Sequence, residues 1–209
     1  MRSIEFRNSP LFLRNEFDTV GLWEFPLVKK QQIDYGSVEL ISCSDISYHD
    51  TINLNKGIHH FVDDYRFEKH YNNPDKFLSL YSKYRFVLTP DYSLYSEMNK
   101  WRQIESIGKS RWVGAKWQKE GLTVIPTVSW SQPSSFSFCF DGIEKHSIVA
   151  IGMIGCKHSR TSFMHGYNTM LDIIDPEAII CFGNPFPEMK GNVIAVDYNS
   201  SRRVARHGR

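Results

Sequence analysis

Apolar positions along this chain gather into short runs, separated by longer stretches in which they recur every three to four residues. The runs fall at 38–41, 58–62, 86–88, 122–128, 147–153, 178–182 and 193–196. β-Branched and aromatic residues dominate them and Gly, Pro, Asp or Asn bound most of them, so each predicts a strand. Several are apolar on both faces, as in IVAIGMI from Ile148, the pattern of a parallel sheet covered on both sides.

Helical spacing fills several of the intervals. Pro74 in a first turn, followed by Phe77, Leu78, Leu80, Tyr81 and Tyr84, predicts a helix over 74–84. The longest candidate covers 98–120, with Trp101, Ile104, Gly108, Trp112 and Ala115 on one face and Gly121 as its stop. A third covers 161–174, ended by Asp175-Pro176. Alternating strands and helices predict an α/β fold with a mostly parallel sheet and right-handed crossovers. It takes the form of a short or incomplete (β/α) barrel or of an open doubly wound sheet. No repeat or linker divides the chain, so 35–198 reads as a single α/β domain. Residues 1–34 carry Phe12, Phe17, Leu22, Trp23 and Phe25, and are expected to pack on that body. Residues 199–209 read as a mobile basic tail.

In a parallel sheet the carboxyl ends of the strands share one edge, where sites are built. Asp63 and Asp64 follow the second run and Asp91 the third. Ser129 and Trp130 follow the fourth, and Lys157 and Asn184 the later ones. Asp63, Asp64 and Asp91 are the candidate catalytic residues, since carboxylates at neighbouring strand ends can bind a divalent cation such as Mg²⁺ or Mn²⁺ or divide acid and base roles. The same residue type also caps helices and turns. Ser129, Trp130, Lys157 and Asn184 are candidate substrate contacts, with Trp130 offering a ring that can stack on a planar ligand.

Charge adds one asymmetry. Lys and Arg number 25 against 23 Asp and Glu, a net of +2, yet residues 202–209 hold four arginines and no acid, which leaves the rest at −2. Within the long helix, Arg102, Arg111 and Lys116 alternate with Trp112 and Trp117, which raises a weaker candidate nucleic-acid contact. A composition 41% hydrophobic and 23% charged excludes a disordered, collagen-like or coiled-coil chain. Cys43, Cys139, Cys156 and Cys181 are widely spaced in apolar contexts and read as reduced thiols. No apolar run reaches membrane-spanning length and the first residues lack a signal-peptide core, so no membrane partner and a cytoplasmic location in a host cell are expected. Ligand spacing for zinc, G-x-G-x-x-G, the phosphate-binding G-x-x-x-x-G-K-[ST] and G-x-S-x-G are all missing.

Longer motifs carry a resemblance: NEFD at 15–18, FVDDYRFE from Phe61, LTPDYSLY from Leu88, WRQIE from Trp101, GLTVIPTVSW from Gly121, FCFDG from Phe138, VAIGMIGCK from Val149, IICFGNPFPEM from Ile179 and GNVIAVDY from Gly191. Across nearly its whole length the chain resembles the bacterial and phage family known as domain of unknown function 4417. The resemblance implies occurrence on phages and other mobile elements, and brings no activity, cofactor or residue role with it. Two functions from different classes follow. One is an enzyme whose strand-end carboxylates, with or without a divalent metal, act on a phosphate-bearing substrate such as a nucleotide or nucleic acid. The other is a non-catalytic binder that sequesters a nucleotide or blocks a host defence protein.

Overall fold

The computed structural model describes residues 3–201, except for the side chains of Lys157 and Ser200. The chain starts with two short helices, α1 (Ser3–Arg7) and α2 (Pro10–Leu13), and an antiparallel pair, β1 (Thr19–Val20) with β2 (Phe25–Pro26). Then follow β3 (Leu40–Ser42), β4 (Gly57–His59), α3 (Glu68–Asn72), α4 (Leu78–Tyr81), β5 (Phe86–Leu88), α5 (Lys100–Lys119) and β6 (Val124–Ile125). The rest is β7 (Ile148–Gly152), α6 (Arg160–Ile174), β8 (Ala178–Phe182) and β9 (Val193–Val196). Each of the seven apolar runs forms a strand, β3 to β9.

All seven pair in parallel. One sheet has the order β3-β4-β5-β6 and the other β7-β8-β9. A single parallel bridge, Thr127 to Ala150, joins the end of β6 to β7. Nothing among the described residues closes the strands into a barrel. The two sheets nevertheless share a core: Leu40 of β3, Phe86 and Leu88 of β5, Ile125 of β6, Ala150 of β7, Ile180 of β8 and Val196 of β9 belong to one buried cluster. Burial on both faces explains why the strands read as unbroken apolar runs rather than alternating ones.

Helices α3, α4 and α5 cover the first sheet, burying Trp112, Val113 and Trp117 against Ile58 and Val87. α6 covers the second through Phe163, Tyr167 and Met170. The expected helix over 74–84 is shorter, a 3-10 turn at Pro74–Phe77 running into α4. α5 differs from its expected single buried face. Trp101 is 65% exposed, whereas Arg111, Trp112, Val113, Ala115 and Trp117 are all buried. The buried arc is wide because α5 is flanked by α3 and by β2 as well as by the sheet. Gly114 permits this contact, since a Cβ there would lie 2.6 Å from Thr89 Cγ2.

The N-terminal segment packs only in part. Phe25 and Val28 are buried and Phe17 meets Trp112 edge-on at 6.3 Å. Phe12, Leu22 and Trp23 stay exposed, and α1 and α2 bury no residue. At the other end Tyr198–Ser201 forms a 3-10 turn with Ser201 buried, so the ordered body extends past 198. The expected mobile tail from 202 onward lies outside the described residues. All four cysteines are free thiols. Among the described residues no helix is long and apolar enough to cross a membrane.

β4 places two histidines on opposite sides of the sheet. His59 lies in the shared core against Phe182, at 4.4 Å between ring centres. His60 faces α5, stacked on Trp117 at 5.7 Å. The Leu88 carbonyl, 3.0 Å away, can only accept, which places the His60 proton on Nδ1. His60 Nε2 then accepts from the Tyr81 hydroxyl at 3.4 Å, and that oxygen accepts from His70 Nε2 at 2.8 Å. Burial lowers all three histidines, His59 and His70 to about 3, so each is neutral at physiological pH.

Candidate active site at the strand ends

Two threonines align the ends of β5 and β6. Thr89 Oγ1 accepts from the Thr127 amide at 2.8 Å, and Thr127 Oγ1 donates to the Thr89 carbonyl at 2.9 Å. Two residues beyond each lie Asp91 and Ser129, which therefore come out side by side. With the segments after β4 and β7 they line a pocket of about 290 Å³. Phe61 and Asp63 follow β4; Asp91, Ser93 and Tyr95 follow β5; Ser129 and Trp130 follow β6; Gly152 and Ile154 close the β7 side.

Asp91 is the chemically unusual member. It is half-buried by surface area and lines the pocket, yet its carboxyl is enclosed so closely that loss of hydration governs its ionisation. That loss, reinforced by the neighbouring Asp64 charge and opposed by Arg111, raises its pKa to about 7. Arg111 opposes the rise only from a distance. Its Nε donates to the Asp141 carbonyl at 2.9 Å, Nη1 to Thr127 at 3.1 Å and Nη2 to Cys139 at 2.9 Å, so the guanidinium is committed to backbone. The Asp91 carboxyl itself takes no hydrogen bond from the described residues.

The other two carboxylates differ. Asp64 accepts from both the amide and the hydroxyl of Ser93, joining the loops after β4 and β5. Asp63 is exposed, pairs loosely with Arg66 at 3.7 Å and makes no capping bond to the turn it precedes. Trp130 is half-buried between two tasks. One part lines the pocket, and the ring packs 4.9 Å from Phe163 of α6. Gly166 gives it room, because a Cβ there would fall 2.2 Å from the indole.

Several expected contacts lie elsewhere. Asn184 is exposed beyond β8 and outside the pocket lining, since β8 is separated from β6 by β7. The Lys157 side chain is outside the described residues. Arg111 is fully buried, which removes it from any nucleic-acid surface, and Trp112 and Trp117 beside it are core residues unable to stack on a base. Arg102 is paired with Glu105 at 2.8 Å, and Lys116 with Glu120 at 2.7 Å and Asp75 at 3.3 Å. Among the described residues no group of three or more His, Cys, Asp or Glu is placed to hold a metal ion. Phe61, Ser93, Tyr95 and Ile154 join the site without any sequence signal beyond their place after a strand. Among the described residues, larger grooves of about 730 Å³ along α6 and about 530 Å³ between α5 and the N-terminal segment also occur. Neither brings together the strand-end residues, and each contains an ion pair already closed, Arg160 with Glu188 and Lys119 with Glu16.

The sequence profile of the domain of unknown function DUF4417 matches residues 17–199. The chain belongs to the DUF4417 family. It is 36% identical over 177 residues to the "Gene 1 protein" of Mycobacterium phage L5, covering 83% of this chain and 76% of that one. It is also 37% identical over 129 residues to the "Gene 1 protein" of Mycobacterium phage D29, covering 60% and 48% respectively. No solved structure matches the chain. The DUF4417 region contains every residue of the strand-end pocket, and leaves out α1, α2 and the last ten residues.

Proposed function

We propose that this DUF4417 chain binds the base or nucleoside portion of a nucleotide in the strand-end pocket and that Asp91 exchanges a proton with it. The observation that carries this reading is the enclosed, unpaired Asp91 carboxyl, whose pKa of about 7 leaves both protonation states populated at neutral pH. Trp130 offers a ring to a planar ligand, and Asp63 and Ser129 offer hydrogen-bonding groups. Two acids and no base line the pocket among the described residues, which favours the base over the phosphate as the buried part. The volume, near the lower end of the ~300–1,000 Å³ of small-molecule sites, suits a ligand of that size.

A second reading, a non-catalytic binder, draws on Asp64, whose carboxylate is taken up by the Ser93 amide and hydroxyl and serves to join two loops. There the protonated Asp91 donates a hydrogen bond and no bond is broken. Calorimetry with the common nucleosides and nucleotides, followed by mass analysis of the incubated ligand, separates the two. Binding that weakens at least tenfold in Trp130→Ala, with product formation abolished in Asp91→Asn, supports the enzyme. Binding without product, with and without added Mg²⁺ or Mn²⁺, supports the binder. No binding by the wild-type chain overturns both.

A further inference from the structure

The side chains of the strand-end pocket are rich in hydrogen-bond acceptors and poor in donors. Asp63 and Asp91 line it with carboxyl oxygens, and no basic side chain among the described residues joins the lining. The Ser93 hydroxyl has one proton, which it gives to Asp64 at 2.8 Å. The Nε1 edge of Trp130 lies against Gly166 of α6, where a Cβ would fall 2.2 Å from that nitrogen. The Tyr92 hydroxyl oxygen is buried, with Glu68 as its neighbour, and has no surface to offer a ligand. Arg111, behind the pocket, spends its guanidinium on three backbone carbonyls.

Polar groups that a ligand buries need partners, so a ligand for this lining has to bring N–H groups of its own. Among the bases, an exocyclic amine does so and a carbonyl in the same place does not. Asp91 narrows the choice further. Its carboxyl takes no hydrogen bond from the described residues and has Asp64 as a like-charged neighbour, so the water that an entering ligand displaces leaves the acid form favoured. As an acid it offers an O–H donor and a C=O acceptor side by side. The edge of adenine or cytosine on which a bare ring nitrogen adjoins the amine matches both, and leaves the second amine hydrogen for Asp63. The corresponding edge of hypoxanthine or uracil, a ring N–H beside a carbonyl, can satisfy Asp91 but brings Asp63 an acceptor in place of a donor.

We propose that the strand-end pocket selects adenine or cytosine over the carbonyl-bearing counterpart of each, the Asp91 carboxyl spanning the ring nitrogen and the amine while Asp63 takes the second amine hydrogen. The proposal rests on the reading that the pocket holds a base, and adds which bases it takes. Guanine presents two N–H groups on that edge and calls for an ionised Asp91, so it is disfavoured while the carboxyl is protonated. Recognition of adenine or cytosine weakens as Asp91 loses its proton, because a carboxylate and a bare ring nitrogen can both only accept.

The test titrates the full chain by calorimetry with adenosine, inosine, cytidine, uridine and guanosine at about pH 5.5 and about pH 8.5, either side of the Asp91 midpoint. The groups around Asp91 are Asp63 and Asp64 after β4, Tyr92 beside it, Arg111 of α5 and Cys156 after β7. Arg111, lowered to about 10, stays charged over that range, and burial keeps the Cys156 thiol and the Tyr92 hydroxyl protonated. At the lower pH adenosine should bind at least about tenfold tighter than inosine, or cytidine than uridine, and that affinity should fall at least about tenfold at the higher pH. Asp91→Asn, which keeps a donor beside an acceptor, should hold the preference and lose the pH response. Asp63→Asn should narrow the preference. Thermal melts check that both variants fold, and the wild-type comparison decides without them. Equal affinities within both pairs, guanosine binding tightest at the lower pH, or a wild-type preference that ignores pH each overturn the proposal and leave a base-binding pocket. No binding by any of the five nucleosides overturns the proposed function, and this inference with it.

Discussion

The Asp64 carboxylate accepts the Ser93 hydroxyl at 2.8 Å and the Ser93 amide at 3.2–3.3 Å, tying the loop after β4 to the loop after β5. Those loops carry Asp63 and Asp91, so the bond fixes how far apart the two pocket carboxylates stand. Asp64 therefore acts by position, behind the pocket, with its oxygens occupied. It also holds a negative charge near Asp91, which helps to keep that carboxyl protonated.

Replacing Asp64 with Ala should cost about 1.5–3 kcal/mol, the range for hydrogen bonds to a charged group. Asp91 should at the same time titrate at lower pH, because a like charge has gone. Denaturant unfolding and carboxyl NMR measure the two effects. An unchanged Asp91 midpoint would show that the charges are not coupled.

Asp91→Asn should stabilise the protein at alkaline pH. The folded pKa of about 7 stands above the ordinary 3.8, so the proton-linked stability of this group is complete below pH 3.8 and is lost as pH rises through 7. At pH 8 wild type must bury the charge, at a cost on the order of 2–4 kcal/mol that Asn avoids. Thermal melts at pH 5 and pH 8 should show the variant's advantage growing with pH. A variant less stable than wild type at pH 8 contradicts the buried-charge account.

Arg111→Met leaves the carbonyls of Thr127, Cys139 and Asp141 without their side-chain donor and removes a cation that lowers Asp91. A loss of roughly 3–5 kcal/mol is expected, with Asp91 pushed to still higher pH. Equilibrium unfolding checks the first and NMR titration the second. A near-neutral substitution would mean that the three carbonyls find other donors.

Acid should destabilise the fold through His59, His60 and His70. Their folded pKa values lie well below 6.5, so the unfolded chain binds protons first. Their contribution is complete above about pH 6.5 and is lost as pH falls toward 3, at up to ~1.4 kcal/mol per pH unit for each. Asp91 works in the opposite direction but is a single group. Unfolding free energies at pH 7 and pH 4.5 should therefore differ by several kcal/mol in favour of pH 7, and a flat profile would exclude buried neutral histidines.

The order of apolar runs by itself determined the seven parallel strands, because burial on both faces leaves little polar residue within a strand and puts Gly, Pro and Asp at its ends. The same pattern determined α6 almost to the residue, 160–174 against an expected 161–174. Periodicity could not show that α5 is covered on several sides, so Arg111 read as a surface cation although the β2 segment and the 138–143 turn enclose it. Nor could it choose which strand ends meet. Asp63, Asp91 and Trp130 converge because β4, β5 and β6 are neighbours in the sheet, while Asn184 is left out because β7 intervenes. Side-chain identity and spacing are local properties of the chain, whereas strand order, and with it the enclosure that raises Asp91, arises only when segments distant in sequence pack together.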